Sequence, residues 1–131
     1  MATNTTRKYS DLDAIFRANF VTKDISVLKD TAAIKFAVKS LVLTRNFERP
    51  FQSSIGSQAY RLLFEPMDDF TKITLSKAIR QSIINHEPRV DVTAVEVFYN
   101  DDNNAAGITI DFIILSTNVK QSIDIALERT R

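Results

Sequence analysis

The sequence predicts an α+β domain in which two or three helices pack on a small antiparallel sheet made of a β-hairpin and a C-terminal strand. In the first two thirds of the chain, apolar residues recur at three- and four-residue spacing, which is typical of amphipathic helices. From Val90 onward apolar and polar residues alternate, which indicates strands with one buried face. The 131 residues suit one ordinary domain, and two glycines and three prolines leave little room for linkers.

The N-terminal residues mix charged and apolar side chains without a clear period. We interpret residues 1–24 as an N-terminal arm that either lies on the body or awaits a partner, and residues 25–131 as one domain. A short strand is predicted at residues 24–28. Either Asp30 or Thr31 is expected to cap the next helix, because both side chains can accept a bond from a free backbone N–H. The apolar positions of this helix are Ile34, Val38, Leu41 and Val42.

A polar loop separates this helix from the next. The first helix is expected to end near Thr44, because residues 45–57 contain Pro50, Gly56 and several small polar side chains. A short helix is predicted at residues 58–65.

A longer helix follows. It is expected to open at Asp68 or Asp69 and to end at Glu87, because a following proline disfavours the helical conformation. Its apolar positions form a broad stripe that we expect to be buried: Ile73, Leu75, Ala78, Ile79, Ile83 and Ile84.

Three strands are predicted in the last third of the chain. In the first strand the alternation changes phase near Thr93, so a β-bulge is expected there. A polar turn over residues 100–107 leads to a strand with Ile108, Ile110, Phe112 and Ile114 on one face. The third strand carries Ile123, Ile125 and Leu127 on one face. A three-stranded sheet has two edges, and open edges invite pairing with other chains.

Charge and composition argue against several classes of function. The 17 basic and 16 acidic residues are interleaved, with a net charge of +1, whereas a nucleic-acid-binding protein is expected to show a basic stripe. No apolar run approaches the roughly 20 residues that a bilayer span needs, and the polar start lacks an export signal. The absence of cysteine removes thiolate metal sites and fits a reducing compartment.

Patterns for catalysis and metal binding are weak. His86, the one histidine, lies at the end of the longer helix, where a capping or surface role is expected. Residues 100–104 do not supply the glycine and glutamate of a calcium loop in any register. Glu48, Glu65 and Glu87 lie near element ends and are candidate acids for a glycosidase, but any protein of this size has such glutamates. We therefore predict no catalytic residue, cofactor or metal.

Two clusters combine arginine, glutamate and proline. The first lies in the loop after the first helix, and the second follows the longer helix. Each is either a helix stop with a surface ion pair of little worth, or a stiff loop whose arginines recognise carboxylates of a partner. The clusters consist of Arg45, Glu48, Arg49 and Pro50, and of Glu87, Pro88 and Arg89.

The order of these features along the chain resembles that of a known protein family. Residues 40–44 (SLVLT) precede residues 48–51 (ERPF), and residues 63–65 (LFE) precede residues 87–90 (EPRV). Over roughly residues 25–127, the chain resembles the sheath-initiator family of baseplate wedge proteins in contractile-tailed phages, which has a counterpart in type VI secretion baseplates. It departs from the usual family pattern at Phe47, where glycine is common, and at Ser53, where a second proline is common.

The resemblance implies a structural, non-enzymatic subunit of the virion tail baseplate, assembled in the host cytoplasm. Implied partners are other wedge proteins, the tail sheath protein and the tail tube, with several copies in a six-fold arrangement and no nucleic acid, membrane or cofactor. Glu87, Pro88 and Arg89 would dock on the helical core bundle of the wedge, and the loop cluster from Arg45 to Pro50 would form a second interface. The last strand, with Ile123, Ile125 and Leu127, would pair with the sheath and start its polymerisation.

Two other hypotheses stay open at this point. One is a peptidoglycan-cleaving, lysozyme-like glycosidase of the tail, since some members of the family carry a lysozyme label. The other is a cytoplasmic adaptor with an open sheet edge.

Overall fold

The computed structural model describes residues 9–13, 15–66, 68–100 and 105–128. It contains a two-stranded antiparallel ribbon and a three-stranded antiparallel sheet of order β3-β4-β5, with the helices between them in sequence. The predicted α+β class is confirmed. The elements are β1 (Ser10–Leu12), β2 (Val27–Lys29), α1 (Asp30–Leu43), α2 (Ala59–Leu62), α3 (Asp69–His86), β3 (Val90–Asn100), β4 (Ala105–Ile114) and β5 (Val119–Glu128).

The start of α1 differs from the prediction. Lys29 occupies the N-cap position and no side chain caps the helix, so the assignment of Asp30 or Thr31 as cap was wrong. Asp30 has a φ of 49°, and its carboxylate accepts the backbone N–H of Tyr9 at 3.2 Å. The carboxylate is therefore engaged by the N-terminal segment instead of the first helical turn. The predicted end is confirmed, since Thr44 follows the last helical residue.

The longer helix, α3, begins as predicted. Asp68 is the N-cap, and its carboxylate accepts the Thr71 N–H at 2.7 Å. The helix ends at His86, with Glu87 as C-cap. The predicted short helix is also present, but α2 is limited to Ala59–Leu62.

The buried stripe of α3 is narrower than predicted. Leu75, Ile79 and Ile83 are buried, whereas Ile73 and Ile84 are exposed. At 3.6 residues per turn, Ile73 and Ile84 lie on the side of the helix opposite Leu75 and Ile79. The predicted buried face was too wide because it included apolar residues that the helical period places on the opposite side.

The sheet supplies one wall of the core. The predicted bulge is present, because the β3–β4 register shifts between Val92 and Ala94. The predicted turn over residues 100–107 was too long, because pairing with β3 extends β4 back to Ala105; residues 101–104 lie outside the described part. The buried residues of the sheet are Val90, Val92, Ala106, Ile108, Ile110, Phe112, Ile114, Ile125 and Leu127.

The two edges of this sheet have different surroundings. At the β3 edge, α3 packs on the strand, and the Ser76 hydroxyl donates to the backbone oxygen of Val95 at 2.9 Å. At the other edge, within the described ranges, the backbone of β5 bonds only to β4. Ten residues of strand are therefore available along that outer edge. No helix among the described residues is long and apolar enough to cross a bilayer.

The cap of α3 gives a pH-dependent prediction. The backbone N–H of Thr71 bonds to Asp68 and holds the pKa of that carboxyl below its ordinary 3.8. A lowered native pKa stabilises the fold above the ordinary pKa, and this contribution is lost as pH falls through the native value. In urea titrations, Asp68→Ala should lower the unfolding midpoint at pH 7, and the deficit should narrow as pH falls below about 3.8. Asp69→Ala, one residue later, should have a smaller effect at pH 7; an equal loss, or a deficit that grows in acid, would contradict the assignment.

Candidate docking surfaces

Glu87 and Arg89 form an ion pair with each other at the end of α3, with Pro88 between them in the sequence. Arg89 Nε donates to Glu87 Oε1, and Arg89 Nη2 donates to Oε2, each at 2.6 Å. The Arg89 backbone N–H adds a longer bond of 3.3 Å to Oε1. Pro88 fixes the backbone between the two charged residues. The ion pair considered for this triplet is present, but it is bidentate and its carboxylate is buried, whereas a surface pair was expected.

This pair is largely removed from solvent by the N-terminal segment. The side chains of Arg89 and Glu87 are 29% and 8% exposed, and the Arg89 guanidinium lies 5.1 Å from the centre of the Tyr9 ring. The hydrogen bond to Glu87, above all, raises the pKa of Arg89; partial burial opposes this rise, and the carboxylates of Glu87 and Asp11 add to it. Pro88 is the exposed member of the triplet. Sequence reasoning did not find Tyr9, because no pattern links an aromatic residue in the arm to a distant arginine.

A cleft of about 560 Å³ brings the two predicted clusters together. Arg49 from the loop and Glu87 from the triplet both line this first cleft, with His86 beside them. The opposite wall comes from the N-terminal segment, including Asp13 and Phe16. The lining of this cleft therefore combines apolar and charged side chains from the N-terminal segment, the loop and the end of α3.

The loop between α1 and α2 is held by bonds at its base. Gly56 has a φ of 137°, and a Cβ there would lie 2.8 Å from the backbone oxygens of Thr44 and Arg45, so only glycine fits. The Ser82 hydroxyl donates to Gly56 O at 2.6 Å, and the Ser57 hydroxyl donates to Val42 O at 2.7 Å. The base of the loop is thus fixed to both α1 and α3.

The outer part of the loop presents aromatic side chains to solvent. Phe47 and Phe51 have φ values of 69° and 66°, a backbone region that is rare for bulky residues. Phe47 is 82% exposed, and Phe51 is fully exposed.

The expectation of an ion pair in the loop cluster was wrong. Within the described residues, no arginine lies within salt-bridge distance of Glu48; instead its Oε2 accepts the backbone N–H of Arg45 at 2.9 Å. The Arg45 guanidinium lies over the Tyr60 ring, 4.4 Å from its centre. Pro50 is exposed. Arg45 therefore belongs to the Tyr60 side of the loop, and Arg49 to the first cleft.

The residues proposed for strand pairing lie on β5. Ile125 and Leu127 are buried and Ile123 is partly buried, so their side chains anchor the strand to the core. Their neighbours Ser122 and Asp124 are exposed. What β5 can offer to another chain is therefore its outer backbone edge.

The remaining candidates show local roles. His86 Nδ1 lies 2.9 Å from Ser82 O, which agrees with the predicted capping role. In the described ranges, no group of three His, Asp or Glu side chains is arranged to hold a metal ion.

Comparison with known proteins identifies the family. Residues 29–119 match the family model described as Baseplate wedge protein gp25. The Baseplate wedge protein gp25 of Enterobacteria phage T4 is 30% identical over 112 residues, which cover 86% of this chain and 84% of that protein. The chain belongs to the gp25 family of baseplate wedge proteins, a family of structural tail proteins. The resemblance stated from the two proline-containing motifs is confirmed.

Solved structures share the fold at lower identity. A Geobacter sulfurreducens crystal structure named for a tail lysozyme has a TM-score of 0.69 at 17% identity and covers 76% of this chain and 90% of that one. A chain of the six-fold symmetrised baseplate of the anti-feeding prophage gives 0.66 at 17% identity, covering 91% and 84%. A chain of the type VI secretion baseplate complex gives 0.64 at 10% identity, covering 76% and 93%.

A double-mutant cycle tests the internal ion pair. Glu87→Gln and Arg89→Gln should each lower the free energy of unfolding by about 2 kcal/mol, because each leaves a partly buried charge without its partner. The double variant should lose less than the sum, with a coupling energy of at least about 1 kcal/mol measured by urea denaturation.

The exposed pair of Asp69 and Lys72, 3.4 Å apart, is the control. Its cycle of Asp69→Asn and Lys72→Gln should give a coupling below about 0.5 kcal/mol. Equal coupling in the two cycles would show that the triplet is only a surface pair.

Proposed function

We propose that this chain is a non-catalytic wedge subunit that starts sheath polymerisation by offering the outer edge of β5 to a strand of the first sheath ring. The observation that carries the proposal is the outer backbone edge of β5, which has no backbone partner within the described residues. The β3 edge also lacks a backbone partner there, but α3 packs on β3 more extensively than α1 packs on β5, and the Val95 oxygen of β3 already accepts the Ser76 hydroxyl.

The β5 edge has the features that strand addition requires. It is ten residues long, longer than most strands, and an incoming strand would gain backbone hydrogen bonds along it, with register set by alternate side chains. Ile125 and Leu127 hold it in the core, so little order is lost on binding. Soluble proteins usually shorten, cover or charge such an edge. β5 carries Lys120, Asp124 and Glu128, but it is long, and its outer side has no backbone partner among the described residues.

The triplet and the loop are proposed as contacts with other wedge proteins. Pro88 is exposed beside the first cleft, which Arg49 and Glu87 line. Because the charges of Glu87 and Arg89 satisfy each other, the triplet presents a rigid shape to its partner instead of two free charges. Arg45, Glu48, Arg49 and Pro50 form the second contact on the loop.

The N-terminal arm, residues 1–24, is proposed as a segment that contacts a partner in the assembled baseplate. Its turn carries Phe20 and Val21 almost wholly exposed, and exposed apolar side chains of this kind favour a protein partner. Several copies would surround the tail tube in the virion baseplate after assembly in the host cytoplasm. A six-fold arrangement agrees with the symmetry of the anti-feeding prophage baseplate.

The glycosidase hypothesis has less support. Both carboxylate oxygens of Glu87 accept bonds from Arg89, and Glu48 accepts a backbone N–H. A glycosidase acid must instead present its proton to the substrate. The structure named for a tail lysozyme is 17% identical, so its likeness concerns the fold alone.

Two neighbouring proline substitutions test the β5 edge. Successive N–H groups of a strand point to opposite edges, so one of Gln121→Pro and Ser122→Pro removes a bond to β4 and the other removes only an outward donor. The variant that loses only the outward donor should keep its thermal unfolding midpoint within a few degrees and should enter baseplates. The number of sheaths that grow from these baseplates, counted by electron microscopy, should fall at least tenfold. Normal sheaths on baseplates that contain the folded variant would refute the proposal.

Substitution of the exposed proline of the triplet tests docking while both members of the ion pair are kept. Pro88→Glu should leave the purified chain folded but reduce its incorporation into baseplates about tenfold or more, because a new charge would be desolvated in the contact. Thr93→Glu places the same charge at an exposed position of β3 and should incorporate normally. Equal incorporation of both variants would exclude the triplet as a docking surface.

A further inference from the structure

We infer that a second cleft, between the loop and α2, binds an acidic peptide segment of a partner protein. The cleft has a volume of about 420 Å³. It lies on the Tyr60 side of the loop, apart from the first cleft and from the β5 edge. Its principal residues are Arg45, Asn46, Phe47, Tyr60, Arg61 and Phe64.

The charged side chains that line this cleft are all positive. Arg45 and Arg61 both line it, and no carboxylate does. Among the described residues, neither arginine lies within salt-bridge distance of an acidic group. An anionic occupant would therefore meet two guanidiniums that no internal carboxylate neutralises.

One of these arginines is held in position before any ligand arrives. The guanidinium of Arg45 stacks on the partly buried Tyr60 ring at 4.4 Å. Stacking uses the flat face of the guanidinium and leaves its edge N–H groups to donate to a carboxylate. Such preorganisation lowers the entropy that binding must overcome.

A buried polar atom in the same cleft lacks a hydrogen bond. Asn46 Oδ1 is the one buried side-chain nitrogen or oxygen in the described part of the chain without a partner, and Asn46 lines the cleft. Leaving such an atom unpaired costs free energy, so native proteins usually satisfy it. Because Oδ1 has almost no exposed surface in the unbound chain, the Asn46 side chain must turn toward a bound peptide before a peptide N–H can supply the missing bond.

The walls also favour a peptide over a small anion. The exposed ring of Phe47 lies in the lining beside Tyr60 and Phe64, which gives apolar surface for a side chain next to the carboxylate. Phe47 is held with a φ of 69°, and strained backbone of this kind occurs at ligand clamps. The occupant that matches all the groups is an extended segment with an acidic residue beside an apolar one.

The partner would be another baseplate protein, and to that extent the inference rests on the proposed function. The experiment uses the isolated full chain with a defined peptide. A failure of peptide binding would therefore leave strand pairing at β5 unaffected, and a failure of sheath growth would leave this cleft unaffected.

The test is a titration of the ¹⁵N-labelled chain with acetyl-Leu-Asp-Glu-Leu-amide, followed by NMR. The neutral isostere acetyl-Leu-Asn-Gln-Leu-amide is the matched peptide. The acidic peptide should shift the Asn46 side-chain amide resonance and bind about tenfold more tightly than the neutral one. Arg61→Gln and Arg45→Gln should each weaken binding about tenfold, while unchanged β4 resonances show that the fold is kept.

Arg80→Gln removes the same charge from the exposed face of α3 and should bind like the unaltered chain. Three results would overturn the inference: no shift at Asn46 with the acidic peptide, equal affinity for the neutral peptide, or an equal loss in Arg80→Gln.

Discussion

The bidentate contact between Glu87 and Arg89 joins three parts of the molecule. Glu87 ends α3, Arg89 precedes β3, and the Arg89 guanidinium also stacks on Tyr9 of the N-terminal segment. A carboxylate as buried as Glu87 would destabilise the fold if its charge were not compensated. The ion pair therefore fixes the turn from α3 into β3, and the buried packing of β3 on α3 holds the sheet beyond it.

Local rules predicted much of the fold. The end of α1 at Thr44, the cap at Asp68, the stop at Glu87 and the bulge after Val92 all follow from neighbouring residues. The failures involve contacts between distant segments. Asp30 was misassigned because its carboxylate bonds to Tyr9, and sequence spacing holds no information about such a contact. The predicted pairing of Glu48 failed because a backbone N–H competed for its carboxylate.

The candidate surfaces were predictable to a similar degree. The two proline-containing motifs pointed to the correct family, because their order along the chain is distinctive. Their geometry was not predictable, since Arg45 and Arg49 diverge to opposite sides of one loop. That divergence depends on the left-handed backbone of Phe47 and Phe51 and on the close approach at Gly56. Of these three residues, only Gly56 is of a type that indicates a left-handed backbone from the sequence alone.

The unequal edges of the sheet have a consequence for stoichiometry and polarity. If strand pairing takes place at β5 as proposed, one subunit accepts one strand along that edge. The alternation of buried and exposed side chains along β5 would then favour the register that buries the apolar side chains of the accepted strand. A ring of such subunits would thus recruit an equal number of partner strands, all pointing the same way. Growth would then proceed away from the ring on one side only.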